Sequence, residues 1–120
     1  MTEARSHREL VVWQKAMDLV VEVYGVSKGF PPPEQYGLTS QLRRAAVSVP
    51  ANIAEGSARG SAKDYSNFLA VAKGSLMETE TLLMLAIRLG YLKDGDAARS
   101  LSLVTEVSKM LTAMRAKLGS

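Results

Sequence analysis

The chain has 120 residues, of which 47% are apolar, and a formal net charge of +3, so it suits one domain over residues 1–120 with a modest basic surplus. It has no cysteine, which excludes disulfides, thiolate zinc sites and a cysteine nucleophile. No stretch is apolar enough to span a membrane and the first ten residues lack a signal-peptide core, so we expect a cytoplasmic protein.

The first predicted helix covers residues 7–27, with a capping-box pattern from Ser6 to Glu9 at its start. Two apolar stripes cover about 200° of this helix, more than the roughly 100° that a surface helix needs to reach its own core. We therefore expect part of it to contact another subunit. The stripe predicted to form the oligomer interface consists of Val12, Ala16, Leu19 and Val23.

A proline-rich turn at residues 29–33 ends this helix, and a second helix is predicted at 39–58. Pro50 lies inside it and should bend its axis. The third helix is predicted at 62–89, where Gly74 suggests close approach of the second helix. A fourth is predicted at 96–117. Four helices with short connections and no strand pattern predict an all-α, up-down-up-down four-helix bundle.

The second helix carries polar residues in register beside its apolar seam. This ladder has two interpretations. In one, the polar residues form a buried or half-buried network that fixes helix register or subunit pairing. In the other, they form a binding surface. The network residues are Gln41, Arg44, Ser48, Asn52, Glu55 and, from the third helix, Glu78.

The sequence offers little that indicates catalysis. His7 is the single histidine and lies at a helix start, and no carboxylate and histidine pairs have metal-ligand spacing. The segment from Gly56 to Gly60 lacks the lysine of a phosphate-binding loop. We therefore expect no enzymatic activity, no metal and no cofactor.

Five basic side chains are the candidates for contact with RNA or DNA, because cations neutralise backbone phosphates. They are Arg43, Arg59, Lys109, Arg115 and Lys117. The alternative for the C-terminal cations is a solvated basic face that favours the helix dipole.

Several segments, taken in order, resemble a known bacterial family. They are LVVWQKAM at 10–17, FP at 30–31 with Glu34 and YGL at 36–38, QLRRAAVS at 41–48, NIAEG at 52–56, GS at 74–75 with Glu78, and LGY at 89–91. This pattern resembles the four-helix-bundle proteins encoded in intervening sequences of 23S ribosomal RNA genes. The accessory variability determinant of diversity-generating retroelements looks like a distant member of that family.

The resemblance implies a homopentamer, and most family members have no established activity. The retroelement relative implies binding to a reverse transcriptase and to nucleic acid. Two functions follow as hypotheses. The first is a nucleic-acid-binding accessory factor, in which five copies would carry a charge of +15. The second is a protein-interaction scaffold that ignores nucleic acid. Clustering of the five cations on one rim favours the first, and an apolar rim the second.

Overall fold

The computed structural model describes residues 6–119, which form four α-helices and no strand. Within that range no helix has the length and apolarity needed to cross a bilayer. The all-α prediction is confirmed. The helices are α1 (Val11–Ser27), α2 (Leu38–Ser57), α3 (Ala62–Arg88) and α4 (Asp94–Lys117).

The first helix begins later than the sequence pattern predicts. Residues His7–Glu9 form a separate 3-10 turn, because the backbone of Leu10 is extended (φ −77°, ψ 126°) and interrupts the helical path. The Ser6 hydroxyl accepts from the backbone N–H of Arg8 at 3.2 Å. Ser6 therefore caps the short turn and not the long helix.

Contacts between neighbouring helices show their relative directions. Along α2 and α3, Ser48 bonds Ser75 and Gln41 bonds Glu78, so the two helices run in opposite directions. The helices pack around a square, since α1 and α3 each contact α2 and α4. The α1–α2 side of the square is therefore opposite the α3–α4 side.

The core fills the centre of this square and includes the stripe that we predicted as an oligomer interface. Val12 is 3% exposed, and the other three interface residues, Ala16, Leu19 and Val23, are fully buried within the single chain. That prediction is wrong, because these side chains pack against the chain's own α2 and α4 and cannot reach another subunit. The outer stripe of α1, which includes Met17 and Tyr24, stays exposed.

A glycine lies at a close approach of α2 to α3, but it is not the one that the sequence indicated. A Cβ placed on Gly56 would lie 2.8 Å from the Cβ of Phe68 and 3.0 Å from Cδ1 of Tyr65. A Cβ on Gly74 would meet nothing within 4 Å. Gly56 therefore permits the close packing that we expected from Gly74.

Candidate functional site

A groove of about 510 Å³ lies between the N-terminal half of α2 and the middle of α3. Most of the predicted polar network lines it. The lining includes Gln41, Arg44, Ser48 and Glu78 from that network, together with Tyr36 and Ser75. The predicted ladder therefore lies along a surface groove and is not enclosed in the core.

A small cluster of hydrogen bonds forms the inner part of the groove. The Ser48 and Ser75 hydroxyls bond each other at 2.9 Å, and Asn52 Nδ2 donates to Ser48 Oγ at 2.9 Å. A hydroxyl has one proton, and either serine can donate in this pair. In both arrangements one hydroxyl proton has no acceptor among residues 6–119 and can be donated to a ligand.

The remaining members of the predicted network do not join this cluster. Gln41 Nε2 donates to the exposed Glu78 carboxylate at 3.4 Å, which is a long contact. Glu55, which lies about one helical turn beyond Asn52, pairs with Arg59 at 2.7 Å. Arg44 is exposed and makes no hydrogen bond or ion pair with any described residue. The single network that we predicted is therefore three separate contacts and one unpaired guanidinium.

The turn before α2 is anchored at the end of the groove where Tyr36 lies. Glu34 accepts from the backbone N–H of Leu38 at 3.1 Å and from the Tyr91 hydroxyl at 2.9 Å. The hydrogen bond to Glu34, followed by burial and the negative charge of that carboxylate, raises the pKa of Tyr91, so the phenol remains a donor. Tyr36 has no such contact and is 90% exposed.

The five predicted nucleic-acid residues do not all lie together. Arg43 lies over the Tyr24 ring at 4.4 Å and donates to Ser27 Oγ at 2.8 Å, near the end of α1. The sixteen residues from Arg43 to Arg59 place the two about 24 Å apart along α2. Arg43 is therefore part of the α1–α2 packing and far from the other four.

The remaining cations lie toward the opposite end of the molecule. Arg59 lies over the Phe68 ring at 4.7 Å, and Arg115 Nε donates to Ser66 Oγ at 3.2 Å, so both flank the first turns of α3. Lys117 ends α4 at this level, and Lys109 lies about 12 Å back along the same helix. We refer to Arg59, Lys63, Arg115 and Lys117 as the basic end.

Sequence reasoning missed Lys63, which lies in the exposed first turn of α3 only four residues after Arg59. Its position just after the predicted helix boundary was a signal that could have identified it. Three acidic residues, Glu9, Glu55 and Asp64, and the further cation Arg8 lie at the same end, and Glu55 is already paired with Arg59. The basic end therefore keeps a positive surplus.

Two apolar surfaces lie on opposite sides of the square. The α1–α2 face exposes Met17, Tyr24 and Val47, each more than two-fifths accessible. On the other side, Met84 and Leu101 line a shallow groove of about 320 Å³ in the α3–α4 face. The α1–α4 side is different, because ion pairs such as Lys15 with Glu106 at 3.3 Å cross it.

No group of histidine and carboxylate side chains in residues 6–119 could hold a metal ion. The ring of His7 instead packs edge-on against Trp13, with centroids 5.0 Å apart.

The family model described as the 23S rRNA-intervening sequence protein matches residues 8–113. A crystal structure from Bacteroides thetaiotaomicron VPI-5482, described as a protein with unknown function from the S23 ribosomal protein family, is 30% identical, with a TM-score of 0.79. That similarity covers 88% of this chain and 98% of the other. No curated protein matches the chain.

Proposed function

The chain belongs to the 23S rRNA-intervening sequence protein family, and from this premise we propose that it is a non-enzymatic, cytoplasmic protein that binds nucleic acid as a ring of identical up-down-up-down bundles. The observation that carries this proposal is the grouping of Arg59, Lys63, Arg115 and Lys117 at one end of the molecule. Binding to nucleic acid would place the protein in the cytoplasm.

The basic end suits phosphate contacts for two physical reasons. Arg59 and Arg115 are held in place by Phe68 and Ser66, so less side-chain entropy is lost when they bind an anion. Lys63 and Lys117 are exposed and have no ion pair among the described residues, so they are free to replace counterions on a phosphate backbone. One chain supplies only a small patch, and this limits the affinity of a monomer.

Assembly would remove that limit, and the two apolar faces provide a way to assemble. A closed ring needs head-to-tail contacts, in which one surface of each subunit packs against a different surface of the next. The α1–α2 face with Met17, Tyr24 and Val47 and the α3–α4 face with Met84 and Leu101 are two such surfaces on opposite sides.

In this arrangement every basic end lies on the same rim of the ring. The resemblance to the family favours five subunits, which would carry a total charge of +15. Repeated positive patches on one rim would bind RNA or DNA with a steep salt dependence and little sequence preference. Five copies of the small basic patch would thus form a large basic surface, although one chain has no dense basic stripe.

The test of nucleic-acid binding is fluorescence anisotropy with a structured RNA hairpin over a range of salt concentrations. The Lys63→Gln, Lys117→Gln double variant removes two exposed cations from the basic end. The Lys28→Gln, Lys93→Gln variant removes two exposed cations from the opposite end and is the charge-matched control.

We expect the first variant to bind at least about tenfold more weakly and with a shallower salt slope, because each phosphate contact contributes roughly −0.9 to that slope. The control should bind within about twofold of the wild type. Equal losses in both variants would mean that net charge alone drives binding, and no salt-dependent binding by the wild type would refute the proposal.

The second candidate function is a scaffold for another protein, such as a reverse transcriptase. The observation that favours it is the exposure of Leu85 in α3 and of Leu89, the residue just after that helix. A stable oligomer that ignores RNA at all salt concentrations would support the scaffold in place of the nucleic-acid function.

A further inference from the structure

The groove between α2 and α3 lies away from the basic end and faces away from both apolar surfaces. We propose that this groove binds a single nucleotide, with its phosphate on Arg44 and its base stacked on Tyr36. When the nucleotide is an unpaired one within an RNA strand, the inference rests on the nucleic-acid function proposed above. When it is a free mononucleotide, it does not.

The anion-binding part of the groove is built from donors that have no partner. Arg44 presents a planar guanidinium whose N–H groups are all unused within residues 6–119. The Ser48 and Ser75 pair adds the hydroxyl proton that has no acceptor. A guanidinium with neighbouring hydroxyls is the donor set that recognises a phosphate through two parallel hydrogen bonds.

Arg44 differs in this respect from the other arginines of α2 and its C-terminal end. Arg43 bonds Ser27 and lies over Tyr24, and Arg59 pairs with Glu55. Each of these guanidinium groups already has a partner within the chain. Of the three, Arg44 alone has no hydrogen bond or ion pair with a described residue.

The aromatic part of the site is Tyr36, whose ring is almost fully accessible at the end of the groove. A large aromatic side chain left in water loses the free energy that burial would provide. The turn that carries it is held in place, since Glu34 bonds both Leu38 and Tyr91. An exposed ring on an anchored turn is a platform on which any nucleobase can stack.

The negative charges near the groove determine where the phosphate can lie. Glu78 faces the groove from α3, and Glu34 lies beneath the turn that carries Tyr36. The phosphate must therefore lie on the Arg44 and Ser48 side. Each oxygen of Glu34 already accepts a hydrogen bond, whereas Glu78 has only its long contact with Gln41 and can accept from an exocyclic amino group of the base.

The dimensions agree with one nucleotide. The contacts Gln41 with Glu78 and Ser48 with Ser75 are seven residues apart on α2, which is about 10 Å, and Arg44 lies between them. The groove volume of about 510 Å³ falls within the roughly 300–1,000 Å³ of ordinary small-molecule sites.

The test is a titration followed by ¹H–¹⁵N NMR, with AMP, UMP and inorganic phosphate as separate probes and a short unstructured adenosine-rich RNA as a fourth. The informative signals are the Arg44 side-chain Nε–H and the amides of Gly37 and Ser48. Tyr36→Ala and Arg44→Gln remove the two parts of the site. Arg99→Gln, on the α1–α4 side, is the matched control.

We expect saturable shifts confined to the groove, weaker binding by at least about fivefold in Tyr36→Ala and about tenfold in Arg44→Gln, and no change in Arg99→Gln. AMP should bind more tightly than UMP, because the amino group of adenine can donate a hydrogen bond to the Glu78 carboxylate. AMP binding as tightly as the RNA would identify a free nucleotide as the ligand. Tighter binding of the RNA would identify an unpaired nucleotide in a strand.

Three results would overturn the inference. They are the absence of saturable shifts with every nucleotide probe up to about 10 mM, well beyond a millimolar Kd, phosphate binding as tight as AMP binding, or loss of binding in the Arg99→Gln control. The Lys63→Gln, Lys117→Gln variant separates this inference from the proposed function. It should keep its affinity for AMP even where it has lost affinity for the RNA hairpin.

Discussion

Replacing Gly56 with alanine should destabilise the protein, although alanine is ordinarily the better helix residue. The new Cβ would lie 2.8 Å from the Phe68 Cβ and 3.0 Å from Tyr65 Cδ1, where favourable carbon contacts are about 3.5–4.0 Å apart. Neither atom is the free end of a flexible side chain, and the Tyr65 carbonyl oxygen is 3.3 Å away. Relief therefore requires α2 and α3 to move apart by several tenths of an ångström or more.

Overpacking of this kind costs about 1–3 kcal/mol, and the gain in helix propensity offsets at most about 1 kcal/mol of it. We expect a net loss of about 1–2 kcal/mol. Gly74→Ala is the matched control, because the same change on exposed α3 meets no atom within 4 Å and should stabilise by about 0.5–1 kcal/mol.

The assay is urea unfolding followed by circular dichroism at one fixed protein concentration, since assembly makes stability depend on concentration. The two variants should shift the midpoint in opposite directions. If Gly56→Ala stabilises the protein as much as Gly74→Ala does, that result would contradict the close approach of α2 to α3 at Gly56.

Three further substitutions test the core, the groove and the turn. Leu19→Ala should cost about 2–5 kcal/mol in urea unfolding, because it leaves a cavity at a fully buried site, and a cost below about 1 kcal/mol would contradict its place in the core. Glu78→Ala should change the free energy of unfolding by less than about 0.5 kcal/mol, since the carboxylate is exposed and its bond from Gln41 is long; a larger loss would mean that it is paired inside the protein. Tyr91→Phe should lower the free energy of unfolding at neutral pH through loss of the bond to Glu34. Because the pKa of Tyr91 is raised above its usual 10.0, the wild-type advantage over this variant should be full below that pH and disappear as the pH rises beyond the folded-state value; a constant advantage would contradict the bond.

The sequence predicted the four helices well because their apolar residues recur at helical spacing over long stretches. The start of α1 was harder to predict, since nothing in the residues near Leu10 marks the extended conformation that separates the short turn from the helix. The sequence also could not show which of the two stripes of α1 is buried. Both stripes are apolar, and only the positions of α2 and α4 decide that Leu19 is inside and Met17 outside.

The candidate site was predictable in part of its residues, which did not include Tyr36 or Ser75, and not in its arrangement. Helical spacing placed Arg44, Ser48 and Glu78 in the right region. It could not show that Ser48 pairs with Ser75 while Arg44 has no partner, because these contacts depend on the register of α2 against α3. The close approach of the two helices at Gly56 was equally hidden, because a glycine in a sequence does not reveal which neighbour it meets.

The central claim is that identical chains form a ring by packing the α1–α2 face of one subunit against the α3–α4 face of the next. Light scattering on two charge variants tests it directly. Val47→Asp blocks the first face and Met84→Asp the second, and both side chains are exposed, so neither change disturbs the core. The wild type should have a mass near five times 13.0 kDa, and each variant alone should be a monomer.

Mixing the two variants gives the decisive result. Each retains one intact face, and the two intact faces are complementary, so the mixture should form a one-to-one heterodimer and nothing larger. A monomeric wild type, or two variants that remain monomers when mixed, would contradict the account.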